Sequence, residues 1–249
     1  MPRAHSNLPR LFVEADLAAG TPVSVDGDAA NHLLNVLRLR EGDAAVLFNG
    51  RDGAWLARLT RTGKKVAELV PSEQTAHQTP VSDLWFGFAP LKVGRLDYLV
   101  QKATEMGAGV IQPVVTEFTQ VRRLKPDKLA AYAREAAEQC EVLTLPSVAP
   151  EIELRALLAG WRTTQGLRRL IFADESAPSA SPVDQVSALE GLPVGLLIGP
   201  EGGFSEAERV LLLSQDYVVP ISLGPRILRA DTAAVAALAV VQSIIGDWR

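Results

Sequence analysis

The chain has 249 residues, 22% charged and 47% hydrophobic, with a formal net charge of −4 at pH 7. One or two ordinary globular domains are expected at this length and composition. A lone Cys140 excludes an internal disulfide framework and a cysteine-based zinc site, and the acidic balance argues against a bulk nucleic-acid binder while leaving room for a local basic face.

Residues 1–75 read as small β structure. Val23 and Val25 alternate with polar residues, and Ala44 to Phe48 is a strand that ends in Asn49-Gly50 and Asp52-Gly53, both hairpin signals. Ala54 to Thr60 and Lys65 to Val70 supply partner strands. Between them, Asp28 to Leu39 carries Ala29, Leu33, Val36 and Leu37 at helical spacing, with Asp28 as the expected cap. A small β-barrel with one inserted helix fits this pattern. Its cations cluster as Arg38 and Arg40, then Arg58, Arg61, Lys64 and Lys65, a candidate phosphate-facing edge. Pro71 to Pro80 has almost no apolar content and reads as a linker, which places a domain boundary at residues 75/76.

From Leu84 onward strand and helix patterns alternate. Strands are expected at Leu84–Ala89, Val110–Val115, Leu170–Ala173, Val194–Ile198 and Tyr217–Leu223. Helices are expected at Leu96–Met106, Pro126–Val142 and Leu154–Trp161, around Val210–Leu213, and at Asp231–Ile245. Ser176 to Ser181 is a short loop. Such alternation predicts a mainly parallel α/β sheet with helices on both faces. Cys140 falls in a helical stripe and is expected to be packed and inert. The longest apolar run, Ala233 to Val241, is far shorter than the roughly 18 residues of a membrane span. The N-terminus shows no apolar signal core, so a cytoplasmic protein is expected.

Two stretches stand out. Leu196-Leu197-Ile198-Gly199-Pro200-Glu201-Gly202-Gly203-Phe204-Ser205 runs from a buried strand through a glycine-rich turn into Ser205-Glu206-Ala207-Glu208, a capping box. Leu223-Gly224-Pro225-Arg226-Ile227-Leu228-Arg229 leads in the same way into Asp231-Thr232 and an Ala/Val-rich helix. Strand ends that deliver loops into helix N-termini are where α/β sheets bind ligands. Neither loop carries a P-loop, and the chain has no nucleophile elbow. Gly107-Ala108-Gly109 follows a helix and has Gln112 at the third small-residue position, which sets a nicotinamide dehydrogenase aside.

Together with Gln101-Lys102-Ala103-Thr104-Glu105-Met106-Gly107, Thr116-Glu117 and Glu135-Ala136-Ala137-Glu138-Gln139-Cys140, these stretches resemble the RsmE family. Its members are SPOUT-superfamily methyltransferases acting on the N3 position of a uridine in bacterial 16S rRNA. The resemblance implies a C-terminal SPOUT domain (residues 76–249) with a deep trefoil knot, and an N-terminal PUA-like RNA-binding β-barrel (1–75). It implies S-adenosyl-L-methionine as cofactor, 16S rRNA or the small ribosomal subunit as substrate, and a homodimer through knot-region helices. Carried over by motif, Ile198, Gly199, Pro200, Glu201 and Gly202 form one cofactor loop. Leu223, Gly224, Ile227, Leu228 and Arg229 form a second, and Ala173 with Asp174 a third.

Arg229 is the expected stabiliser of negative charge on the base, with Glu201 or Asp231 to take the proton or orient the base. The two acids read equally as helix N-terminal residues placed for the dipole. Arg10, His32, Arg38 and Lys92 are the expected RNA contacts. The chain departs from the family in having Phe118 and Val142 where many members have Arg, Asp231 where Glu is common, and Ala230 where Thr is common. Two other readings are a SPOUT enzyme with another target, such as a ribose hydroxyl, and a catalytically silent RNA-binding or assembly factor.

Overall fold

The computed structural model describes residue 5 and residues 7–61, 66–92, 94–177 and 181–248. Lys64, Lys65, the Arg61 side chain and residues 178–180 of the expected Ser176–Ser181 loop lie outside the described residues. Chain contacts divide the molecule into two units. The first runs to Val81 and takes in Arg134–Leu145; the second holds Ser82–Ala133 and everything from Pro146 onward.

In the first unit, apolar–polar alternation makes β1 (Arg10–Phe12), β2 (Val23–Val25), β3 (Ala44–Phe48), β4 (Ala54–Arg61) and β5 (Ala67–Ala76). They form one sheet in the order β1-β3-β4-β5-β2, antiparallel except for β1 with β3. The path is open, with β1 and β2 as its edges, so the expected barrel is a five-stranded open sheet. Val23, Val25, Leu47, Leu59 and Leu69 bury one face with Leu33.

Three details differ from the sequence reading. The N-cap position of helix α1 (Gly27–Asn31) is Asp26, whose backbone is extended and whose side chain makes no capping hydrogen bond, and Asp28 lies in the first turn. Its continuation, His32–Val36, is wound as a π-helix, with the Leu37 N–H donating to the His32 carbonyl at 2.9 Å. The wider turn buries the adjacent Leu33 and Leu34 and leaves His32, Val36, Leu37 and Arg38 exposed. The expected linker is in part strand: β5 carries Pro71 to Ala76 along β4. There β2 has already ended, so the missing N–H of Pro71 breaks no ladder bond. The polar residues suit a strand half with one solvated edge, and Ser72 and Thr75 donate their hydroxyls to the carbonyls of Leu56 and Ala54.

Arg134–Leu145, the end of a later helix and its exit, completes this unit. Ala137 and Leu143 are buried with Val46, Phe48 and Ala54. The Phe12 N–H donates to Glu138 at 2.9 Å, while burial pushes the Glu138 carboxyl above its usual range. Cys140 is exposed, contrary to expectation. The helix stops at Gln139, and Glu141 takes a left-handed φ of 58°, so the stripe through Ala133, Ala136 and Ala137 does not extend to it.

The second unit, with the end of α3 passing into the first, holds the predicted strands and helices and three short elements that were not predicted, β8, β9 and α5: β6 (Trp85–Phe88), α2 (Leu96–Glu105), β7 (Val110–Val115), α3 (Pro126–Gln139), β8 (Ser147–Val148), β9 (Ile152–Glu153), α4 (Leu154–Gln165), β10 (Arg169–Ala173), α5 (Pro182–Ser187), β11 (Val194–Ile198), α6 (Glu206–Leu213), β12 (Val218–Ile221) and α7 (Ala230–Ile244). The strands pair in parallel in the order β12-β10-β11-β6-β7-β8, with β9 also on β7. Continuous apolar strands demand cover on both faces. Phe86, Leu196, Ile198 and Ile171 pack with Leu99, Val100, Ala234 and Leu238 in one cluster. Trp85, Leu197, Leu170 and Phe172 pack with Leu157, Leu158, Trp161 and Leu212 in another. Among the described residues, no helix is long and apolar enough to cross a membrane.

The helix α7 packs on α2, α5 and β11. A buried Gln242 ties it down: its Nε2 donates to the Met106 carbonyl at 2.6 Å and its Oε1 accepts from the Asp247 N–H at 3.0 Å. Gln242→Leu leaves that carbonyl and that N–H without these partners. It should lower unfolding free energy by about 1–3 kcal/mol in urea titration; an unchanged midpoint would show that the amide does not hold α7.

Candidate active site

Three neighbouring parallel strands, β12, β10 and β11, end on the same edge of the sheet. Each is followed by a loop: Asp174–Ala177, Gly199–Ser205 and Ser222–Arg229. The loops enclose a cavity of about 370 Å³.

The loop after β11 is fixed at both ends. At its start, Gly199 lies under the Phe204 ring, and a Cβ there would sit 2.6 Å from it. Phe204 in turn meets Phe172 edge-on, with centroids 5.0 Å apart. At its end, Ser205 caps α6: the Glu208 N–H donates to Ser205 Oγ, and Glu208 Oε2 accepts the Ser205 N–H. The other Glu208 oxygen accepts the Glu117 N–H at 2.8 Å, which joins the exit of β7 to the start of α6. The loop after β12 turns at Gly224, whose φ of 101° favours glycine. Among the described residues, the main-chain groups of Ile227 and Leu228 have no main-chain partner.

The loop after β10 is held by an ion pair. Asp174 is buried, and Arg209 from α6 places its Nε 3.1 and 3.0 Å from the two carboxylate oxygens. The Ser176 N–H also donates to Asp174, at 3.0 Å.

Ten of the residues carried over by motif line this cavity: Ala173, Asp174, Ile198, Gly199, Pro200, Glu201, Leu223, Gly224, Ile227 and Leu228. Gly202 turns to the neighbouring Phe118, where a Cβ would meet the Phe118 Cβ at 3.4 Å. Arg229 is the N-cap residue of α7; its carbonyl accepts the Ala233 N–H at 2.7 Å and its side chain is exposed. Asp231 is in the first turn of α7, where its carboxylate accepts the Thr232 N–H at 2.9 Å. Neither Arg229 nor Asp231 is in the cavity wall. In the second unit Lys92 is exposed. In the first, His32 and Arg38 are exposed, Arg38 with a left-handed φ of 58°, while Arg10 is half-buried with its guanidinium 5.1 Å from the Phe48 ring centroid. Sequence reasoning missed Glu175, Ser222 and Arg209 in the wall. Arg209 stands four residues after the cap Ser205, but its partner is 35 residues away, and no local spacing announces it.

The described residues hold no cluster of His, Cys, Asp and Glu able to bind a metal. The RNA methyltransferase domain family model matches residues 77–242, and the RNA methyltransferase PUA domain model matches residues 25–72. Ribosomal RNA small subunit methyltransferase E of Rickettsia conorii is 32% identical over 235 residues, 94% of each chain. Its counterpart from Synechocystis is 32% identical over 95% of this chain and 78% of its own. The crystal structure of the Neisseria gonorrhoeae enzyme of that name, bound to S-adenosyl methionine, superposes with a TM-score of 0.83 at 30% identity, covering 97% of this chain and 100% of the other. The chain therefore belongs to the RsmE family of RNA methyltransferases.

Proposed function

We propose that this chain uses S-adenosyl-L-methionine to methylate the N3 position of a uridine in 16S rRNA of the small ribosomal subunit. The observation that carries this reading is one cavity of cofactor size, walled by three strand-end loops, in a chain of this family. The wall suits a cofactor without phosphate. Ile198, Pro200, Leu223, Ile227 and Leu228 give apolar surface, the main-chain groups of Ile227 and Leu228 are open, and the carboxylates of Glu175 and Glu201 suit a cation. Bound there, the cofactor supplies a methyl group on a positively charged sulfur.

Uridine N3 carries a proton at neutral pH and is weakly nucleophilic. The protein must remove that proton or stabilise the anion as it forms. In this reading Glu201, an exposed residue of the cavity lining, accepts the proton. Arg229, one residue beyond the cavity-lining Leu228, supplies positive charge for the base. Asp231, in the first turn of α7, is the other acid for taking the proton or orienting the base.

The same reading includes a trefoil knot. It is supported by the path of the chain: β12 is an edge strand beyond β10, yet the next helix returns to pack on β11, α2 and α5. A homodimer through knot-region helices would cover the half-exposed Val235, Ala236, Ala239 and Val240 of α7. RNA would reach Arg10, His32 and Arg38 on a PUA-like module and Lys92 on the catalytic one. The same reading expects the reaction in the cytoplasm.

The test is transfer of labelled methyl from S-adenosylmethionine to small subunits lacking the modification, followed by mapping. Label at a single uridine N3 is the expected result. Label on a ribose hydroxyl would move the chain to another target, and cofactor binding without transfer would make it a silent RNA-binding factor.

A further inference from the structure

Phe118 is a large apolar side chain that remains 44% exposed. Its backbone, by contrast, is tightly held. It sits in a turn from Thr116 to Thr119 at the end of β7: the Thr119 N–H donates to the Thr116 carbonyl at 3.1 Å, and Thr119 Oγ1 accepts the Thr116 N–H at 2.9 Å. The two hydroxyls are paired at 2.9 Å, and both threonines are buried. Glu208 clamps the same turn through the Glu117 N–H while capping α6. Strand β7 is parallel to the strands that bear the cavity, so the turn lies on the same edge of the sheet. The base of the side chain lies beside Gly202, where an added Cβ would come within 3.4–3.7 Å of the Phe118 Cβ, Cγ and Cδ2, and Gly202 stands between the cavity-lining Glu201 and Gly203. Further along the chain, Arg123 and Lys125 are exposed. The Glu151 carboxylate accepts the main-chain N–H groups of Arg123 and Leu124, and that of Glu153 is 3.8 Å from Arg122.

A rigid, exposed ring beside a cofactor cavity, followed by cations, is the pattern that proteins use for an unpaired base and its flanking phosphates. A uracil whose N3 is to react must leave its pairing partner and thereby loses stacking. We propose that Phe118 is a substrate-contacting residue, the exposed part of its ring stacking on the extruded target uracil and setting its position over the cavity. This inference rests on the methyltransferase reading above and deepens it.

The experiment measures kcat/KM for small subunits lacking the modification, with Phe118→Leu, Phe118→Ala and Phe118→Tyr beside the wild-type chain. Cofactor affinity and melting temperature are measured for each. Leu keeps apolar bulk against Gly202 but has no ring. Leu and Ala should lose roughly 5- to 150-fold in kcat/KM, the range supplied by base–aromatic stacking, with cofactor affinity and melting unchanged. Tyr should stay within a few-fold of wild type. Wild-type turnover by the Leu variant overturns the proposal. So does a Leu loss matched by an equal loss of cofactor affinity, which would make Phe118 a prop for the Gly202 loop. A wild-type chain that transfers no methyl overturns the methyltransferase reading itself, a result distinct from equal activity of wild type and Leu.

Discussion

Arg229→Ala is expected to lower kcat by about 10²–10³-fold while cofactor affinity and melting temperature stay near wild type. The magnitude is that of removing one preorganised donor from a developing anion. Its selectivity follows from position. Arg229 contributes only its main chain to the N-cap of α7, and its side chain is exposed and makes no capping hydrogen bond. Truncation therefore removes no packing. The guanidinium is outside the cavity wall, so the cofactor-binding surface also survives. Single-turnover kinetics beside calorimetric cofactor binding checks both halves. Near-normal turnover in the Ala variant would remove Arg229 from the chemistry.

Arg209→Met should act differently, on the loop rather than on the base. It leaves the Asp174 carboxylate, only 3% exposed at its side chain, without its cation. Removing one partner of a buried pair costs about 3–5 kcal/mol, and the quarter exposure of Arg209 argues for the low end, about 3 kcal/mol. For a domain of this size that corresponds to a fall of about 6–12 °C in melting temperature. Because Asp174 lines the cavity, cofactor affinity should fall as well. Adding Asp174→Asn removes the stranded charge and should recover part of the stability. A double-mutant cycle with no coupling would show that the pair does not organise the loop.

Local patterns carried most of the catalytic unit. Buried strands such as Val194–Ile198 are apolar at every position, and the Ser205 capping box reads directly from four residues. The ten motif residues in the cavity wall came from the resemblance of two ordered loop motifs and of Ala173-Asp174 to the family, not from periodicity or spacing. What was not legible depends on distant partners. Arg209 gains meaning only from Asp174, and Phe118 only from Gly202, 84 residues along. Pro71 to Ala76 reads as a linker by composition, but the hydrogen bonds that make it a strand come from Ala54 to Ala57. The short α5 was missed because six residues give too little periodicity. The π-turn at His32–Val36 shares its apolar spacing with an ordinary helix until a carbonyl is paired five residues on.

The participation of Arg134–Leu145 in the first unit has a consequence for synthesis. Val46, Phe48 and Ala54 wait for Ala137 and Leu143 before their cluster is complete. Roughly sixty residues separate Val81 from Leu143, so at about 5–20 residues per second a ribosome needs several seconds to deliver the missing pieces. Through that interval the emerging N-terminal sheet is unfinished, and a fragment cut at residue 81 would keep that defect permanently. The two halves of this chain are thus coupled in time: the module that comes first is completed by residues translated in the middle of the second.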